Sequence, residues 1–227
     1  MQNITFNLAQ LHQYGTAFYE FLGLRKRFFV DQLGWQIPHD DDVEMDQYDN
    51  PNAYYSLVLK DGKVVGGARA MATTAQWGSH TYMLRDAVDG KLIGIPEDIV
   101  PTAAVNANVW ECTRVVISDE IDTHAGRSEC LALIVDGLVD QAKEQGATEM
   151  MALCPPSFAR ALRKLGYGAD LIGEPYVNSD DGRRYVAMSM PAERRIVAKP
   201  APKPAMQTSG SSASTSGMQL VHAPSTK

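Results

Sequence analysis

"NVWECTRVVISDEI", residues 108–121, is the stretch on which the fold turns. Val109, Val115, Val116 and Ile117 are β-formers and Trp110 adds bulk, so it reads as a buried strand. Yet Glu111 and Arg114 stand in the middle of it. A charge inside a core is costly unless it is paired or has chemistry to do. Residues three apart in a regular strand point to opposite faces. If both charges serve one pocket, a bulge must therefore lie between them, near Cys112 or Thr113.

After this strand, residues 122–146 read as a loop feeding a long helix that stops at Gly146. "TEMMALC" (148–154) is a second short buried strand. "PPSFARALRKLGYG" (155–168) is a helix with Pro at its start and Gly at its end, and "RRYVAMSMP" (183–191) is a last strand. Before it, residues 52–74 form a hairpin turning at Asp61-Gly62. Leu11, Tyr14, Phe18, Phe21 and Leu22 give residues 8–22 helical spacing, and a second helical stretch continues from Arg25 to Leu33. "YMLRDA" (82–87) is a short strand or a helix start. Helices, hairpin, strand, long helix, strand, helix and strand make an α/β chain with a central mixed sheet and helices packed on it.

The chain has 227 residues, 44% hydrophobic and 21% charged, which is ordinary for a globular domain. No apolar run is long enough for a membrane span, and the N-terminus does not resemble a secretory signal. Cys112, Cys130 and Cys154 include no CxxC pair and suggest a reducing cytoplasm. A net charge of −6 argues against general nucleic-acid binding, though "RKR" (25–27) and "RALRK" (160–164) are local basic patches. The domain is expected over 1–192. From Glu193 the chain is rich in Pro, Ser, Ala and Gly, so 193–227 is expected to be a disordered tail, either dispensable or an interaction segment.

Residues 33–52, "LGWQIPHDDDVEMDQYDNPN", carry Asp40, Asp41, Asp42, Glu44, Asp46 and Asp49. This is either a solvated acidic loop or a carboxylate cluster aimed at a cation, with Trp35 beside it. A calcium loop fails, lacking the central glycine and closing glutamate. Alternation on the second hairpin strand puts Gly67, Arg69 and Met71 on one face and Ala68 and Ala70 on the other. Arg69 is thus an edge residue or paired inside, with Glu111 its expected partner if the strands are neighbours. "THAGRS" (123–128) at the start of the long helix is an ordinary junction or an anion site. No nucleotide-binding glycine motif is present. Nucleophilic cysteine chemistry is poorly supported, and His39, His80 and His124 are scattered.

In order along the chain, "LRKRFFVDQLGW", "EMDQYD", "GGARAM", "YMLRDA" and "WECTRVVISDE" resemble the acyl-homoserine-lactone synthases, the autoinducer synthases of bacterial quorum sensing. The resemblance spans roughly residues 8–190. It implies a fold like that of the GCN5-related N-acetyltransferases, a mixed sheet with a V-shaped split that admits a pantetheine arm. It also implies S-adenosyl-L-methionine and an acyl thioester, on acyl carrier protein or coenzyme A, as substrates and not cofactors, with no metal. On these motifs Glu111, Arg69 and Arg114 are carried over as catalytic residues, and Arg25, Phe29, Trp35, Asp46 and Asp49 as substrate-binding ones. In relatives that prefer 3-oxo chains a threonine lies where Ala152 stands here, and its loss favours an unsubstituted chain.

The reaction requires the substrate ammonium to lose a proton before it attacks the thioester. Glu111 is the candidate base if burial raises its pKa. Paired to Arg69 or Arg114 it would be depressed and would position a relaying water instead. Glu111 is expected to face the cleft, while Arg114 either shares that site or braces the acidic loop from behind. Leu133, Leu153 and Leu162 are core residues or acyl-tunnel walls. An acidic acyl carrier needs a local basic patch, and Arg160, Arg163 and Lys164 are the candidates. Two other classes remain, an ordinary coenzyme A-dependent N-acetyltransferase of the same fold and a non-catalytic acyl-ligand binding protein.

Overall fold

Asp61 and Gly62 both have positive φ, 51° and 79°, as a two-residue hairpin turn requires. They join β2 (Tyr54–Lys60) to β3 (Lys63–Ala72), the expected hairpin. In this computed structural model, which describes residues 1–194, that hairpin lies within a sheet ordered β1-β2-β3-β4-β5-β8-β6, with β7 also paired to β8. The other strands are β1 (Gln2–Asn7), β4 (Val109–Ile117), β5 (Glu149–Cys154), β6 (Asp170–Leu171), β7 (Tyr176–Val177) and β8 (Arg184–Pro191). The helices are α1 (Ala17–Arg25), α2 (Met83–Val88), α3 (His124–Glu144) and α4 (Pro156–Lys164). "YMLRDA" resolves as a helix. Glu193 and Arg194, assigned by composition to the tail, belong with the domain, since Arg194 bridges Tyr167 and pairs with Asp136. The rest of the expected tail lies outside the described residues.

The N-terminal elements differ from the expected ones. Residues 2–7 form an edge strand on β2, and the helix expected over 8–22 is broken into a 3₁₀ turn (Leu8–Gln13) and α1. The break falls at Gly15, whose φ of +56° takes the chain out of the helix. The continuation past Arg25 is helical but of π type, over Lys26–Gln32. Wider π turns often occur at functional sites.

α1, the π segment and α2 cover one face of the sheet, with Phe21, Tyr55, Leu57, Met71 and Leu84 at its core. α3 and α4 cover the other, over Ala68, Ala70, Trp110, Ile134 and Leu138. Close approach on both sides explains "GG" in β3. A Cβ on Gly66 would lie 2.7 Å from Cys130 Sγ, and one on Gly67 2.5 Å from a Leu57 methyl.

β4 carries the expected bulge, one or two residues later than expected. Gly67 pairs with Val116 and Arg69 with Thr113, so β4 holds one more residue than β3 between these pairs. The excess lies at Arg114 and Val115, and Arg114 takes a left-handed φ of +57°, a conformation unusual for a side chain of its size. The bulge breaks alternation, so Thr113 and Arg114 both face the α1 side along with Glu111. On its other edge β4 runs parallel to β5 only from Val109–Glu149 to Cys112–Ala152. Past Cys112 the two strands lose their pairing, which makes the V-shaped split.

Candidate active site

The acidic stretch contains both kinds of carboxylate that the sequence allowed. Asp40, Asp41 and Asp42 are exposed, and Asp40 only folds its own turn, accepting the N–H groups of Asp42 and Val43. Glu44, Asp46 and Asp49 turn inward, with side chains 0–4% exposed. There they meet Arg25 from the end of α1, Arg69 from β3 and Arg114 from the bulge.

The six groups close a ring of alternating charge. Arg25 Nε donates to Glu44 Oε2 at 2.6 Å, and Arg114 Nε reaches the same oxygen at 3.1 Å. Arg114 Nη2 lies 2.8 Å from Asp46 Oδ2, and Asp46 Oδ1 accepts Arg69 Nη1 at 2.6 Å. Arg69 Nη1 is 2.8 Å from Asp49 Oδ1, and Asp49 takes two bonds from Arg25, at 2.8 and 2.9 Å. Tyr55 donates its hydroxyl to Asp49, and Arg69 Nε donates to Thr113 Oγ1. Three guanidinium groups balance three carboxylates. Against the cost of burial, the nearby arginines hold Asp46 and Asp49 below the ordinary carboxylate range.

Glu44 is the member the motif reading missed. Its signal was present in "EMDQYD", where it stands two residues before Asp46. The structure also resolves where Arg114 points. It braces the acidic segment through Glu44 and Asp46, and its guanidinium lies 5.4 Å from the ring centre of Phe29 and 6.0 Å from that of Trp35. Phe29 and Trp35 are 4.8 Å apart. The site residues carried over from the motifs on this face therefore converge on one region.

Arg69 and Glu111 do not pair, although their strands are neighbours. Arg69 is held by Asp46, Asp49 and Thr113. The two oxygens of Glu111 accept the N–H groups of Met83 and Leu84 at 2.7 and 2.8 Å, at the start of α2. Glu111 is 2% exposed. Burial pushes its pKa up to about 7, against the lowering effect of the two N–H bonds and, more weakly, of Arg69. α2 is itself pinned by Asp86, a buried carboxylate that sequence reasoning did not single out. Asp86 accepts Tyr48 Oη, Thr81 Oγ1 and Lys91 Nζ at 2.8–3.0 Å and faces His80 Nδ1 at 3.1 Å. Tyr48 thus ties "EMDQYD" to the helix that holds Glu111. Burial pushes the thiols of Cys112 and Cys154 up to about 12, which leaves almost no thiolate near neutral pH.

Where β4 parts from β5 a groove of about 430 Å³ opens between Val115–Ile117 and α4, with His124, Arg127 and Ser128 of α3 at its rim. Of the three basic residues expected together on α4, Arg160 and Lys164 line it and Arg163 does not. Arg163 lies about a quarter-turn round the helix and donates to the carbonyl of Ala169. Arg127 of "THAGRS" joins the groove instead. Behind the strands is a small apolar void of about 20 Å³, lined by Cys112, Ala152, Phe158, Leu162, Met188 and Met190 among others. Of the three leucines considered as tunnel walls only Leu162 borders it; Leu133 and Leu153 pack elsewhere in the two cores.

The chain belongs to the autoinducer synthase family, whose profile matches residues 10–199. It is 29% identical over 174 residues to the acyl-homoserine-lactone synthase of Aliivibrio fischeri strain ATCC 700601 / ES114, covering 75% of this chain and 83% of that one. Its fold is similar to that of TofI in a ternary complex with an inhibitor and MTA, at TM-score 0.65 and 26% identity, over 85% of this chain and 92% of that one. An acyl-CoA N-acyltransferase from Pseudomonas aeruginosa shares the fold at TM-score 0.50 and 14% identity, over 83% of this chain and 99% of that one. The split mixed sheet expected from the motifs is therefore the observed one.

Proposed function

We propose that this chain makes N-acyl-L-homoserine lactone from S-adenosyl-L-methionine and an acyl thioester, releasing methylthioadenosine. The observation that carries this reading is a desolvated carboxylate, Glu111, on the same strand face as a buried, charge-balanced ring and beside a strand split. An acetyltransferase needs the split but not the ring, and a passive acyl-binding protein needs neither Glu111 nor the ring.

In this reading the ring and its aromatic edge, Arg25, Glu44, Asp46, Asp49, Arg69 and Arg114 with Phe29 and Trp35, form the S-adenosylmethionine pocket. The least buried arc, Arg114 and Asp46, meets the substrate. Glu111 takes a proton from the substrate ammonium, directly or through one water. The freed amine attacks the thioester carbonyl, and the thiol leaves with a proton. N–H groups of β4 beyond Cys112, on the edge that has lost β5, serve the developing oxyanion. The substrate carboxylate then attacks the carbon next to the sulfonium. That C–S bond breaks with its electrons passing to sulfur, so the ring closes as neutral methylthioadenosine departs. The void beside Ala152 has room for only a methylene or two, so an acyl chain that enters there must push the surrounding apolar side chains apart; Ala152 offers no hydroxyl to a 3-oxygen. Both substrates are cytoplasmic metabolites, and the buried thiols suit that compartment.

The test is direct. Incubated with S-adenosylmethionine and a set of unsubstituted acyl carrier and coenzyme A thioesters, the protein is expected to yield lactone and methylthioadenosine in equal amounts by mass spectrometry. Acylation without methylthioadenosine would support the acetyltransferase instead. No turnover with any donor would remove the reading.

The groove with Arg127, Arg160 and Lys164 is the carrier-docking surface in this proposal. A chain of net charge −6 attracts an acidic carrier only through such a patch. Arg160→Glu with Lys164→Glu is expected to raise KM for acyl carrier protein roughly tenfold at low salt, with a smaller effect at high salt. KM for S-adenosylmethionine should not move. Unchanged carrier KM would place docking elsewhere.

A further inference from the structure

Asp181 lies in the turn between β7 and β8, 146 positions after Trp35, yet its Oδ2 accepts the Trp35 indole N–H at 2.9 Å. The same oxygen accepts the Tyr185 hydroxyl at 2.7 Å, and Oδ1 accepts the N–H of Arg183 at 2.9 Å. Its neighbour Asp180 accepts the backbone N–H of Gln36 at 3.0 Å. Two adjacent carboxylates thus grip two adjacent residues of the segment that follows the π turn.

The turn is built to hold still. Asn178 donates its N–H to Arg183 and accepts that of Gly182, and its side chain accepts the N–H of Asp180. The segment it grips is held at its start by backbone bonds, the N–H groups of Gly34 and Trp35 donating to the carbonyls of Val30 and Phe29 at 3.0 Å, but the Trp35 side chain is only half-buried. Its indole packs on Phe29 at 4.8 Å, a contact that leaves the N–H edge to be fixed by something else. The charge-assisted bond to Asp181 does so, with Tyr185 packed edge-on at 5.8 Å. The pose matters because the indole lies over Arg114, a member of the charged ring.

We propose that Asp181 is a positioning residue for the S-adenosylmethionine pocket, acting through Trp35. The inference rests on the reading above, in which Trp35 lines that pocket. Asp181 touches no substrate. It fixes the face that the indole presents, and it ties the last strand pair of the sheet to the substrate end of the site.

The test is a double-mutant cycle with Asp181→Ala and Trp35→Phe, which keeps an aromatic ring but removes the N–H. Each single variant is expected to raise KM for S-adenosylmethionine roughly tenfold. KM for the acyl thioester and kcat should change less than about threefold, and the double variant should be no worse than the worse single one. A general loss of packing would instead lower kcat and raise both KM values. A separate readout needs no turnover. In a Trp77→Phe background, Asp181→Ala should shift the tryptophan emission, and adding Trp35→Phe should abolish the shift. Unchanged KM, multiplying effects in the cycle, or unchanged emission would overturn the role of Asp181. Absence of lactone from the wild-type protein would overturn the underlying reading alone, and the emission result would still decide whether Asp181 orients Trp35.

Discussion

Glu111→Gln is expected to fold, to bind both substrates and to lose lactone formation by roughly 10²–10⁴-fold in kcat, the usual worth of a positioned general base. The variant keeps the size of the side chain and one acceptor oxygen for the N–H groups of Met83 and Leu84, so α2 should stay in place. It removes the only carboxylate on this strand. Thermal unfolding and acyl-carrier binding distinguish a lost base from a lost fold. A variant that is folded, binds acyl carrier and still makes product at the wild-type rate would remove Glu111 from the chemistry.

The pH dependence has a definite sign. Burial raises Glu111 from 4.5 to about 7, and only the deprotonated form accepts the substrate proton. The wild-type rate is therefore expected to rise with pH around a midpoint near 7, and the residual rate of Glu111→Gln should lack that step. For stability the raised value acts the other way. Between 4.5 and about 7 the folded state holds a proton that the unfolded chain has released, so this group's contribution falls as pH rises through that window. A base poised by desolvation costs stability at the pH where it works.

How much of this was legible in the sequence depends on the length scale of each signal. The hairpin at Asp61-Gly62, the long helix ending at Gly146 and the strand at 109–117 rest on local turn chemistry and periodicity, and each appeared as read. β6 and β7 have two residues each, too short for any period to show. Leu11 and Phe18, at helical spacing across the break at Gly15, made two helical pieces read as one, and the strand at 2–7 offers only Ile4 and Phe6 as an alternating apolar pair. Charges inside β4 demanded a bulge, which was deducible from alternation, but its place at Arg114 was set by the reach from Arg114 to Glu44 and Asp46. Partner choice was least legible. Arg69 and Glu111 are opposite charges on neighbouring strands, yet each is satisfied by groups distant in sequence. Residues 44–49 come to Arg69, and the start of α2 comes to Glu111. Asp181 gave no signal, since its meaning depends on a residue 146 positions away.

The second large effect is expected at the ring, and it concerns the fold as much as the site. Each ring carboxylate lies between two arginines, so deleting one charge leaves an excess charge of the opposite sign in a site almost closed to water. Asp49→Asn is expected to destabilise the domain by about 3–5 kcal/mol, the cost typical of breaking a buried ion pair from one side. Against a total of about 5–15 kcal/mol for a domain, that is enough to lower the yield of folded protein. Arg69→Met should cost a similar amount for the opposite reason. Asp49→Asn with Arg69→Met restores neutrality, so its cost should fall short of the sum of the two by about 1–3 kcal/mol, measured by urea unfolding. Additive costs would mean that the six groups act as separate pairs, each relaxed by water. The same ring sets the acid limit of the fold. Asp46 and Asp49 are held below the ordinary value of 3.8, so their contribution is present above that pH and is lost as pH falls through their folded values. A ring that is neutral only as a whole also explains why three arginines and three carboxylates coexist where one pair would bind a substrate's carboxylate and ammonium. The substrate brings both signs, and it meets a surface that already holds both in fixed places.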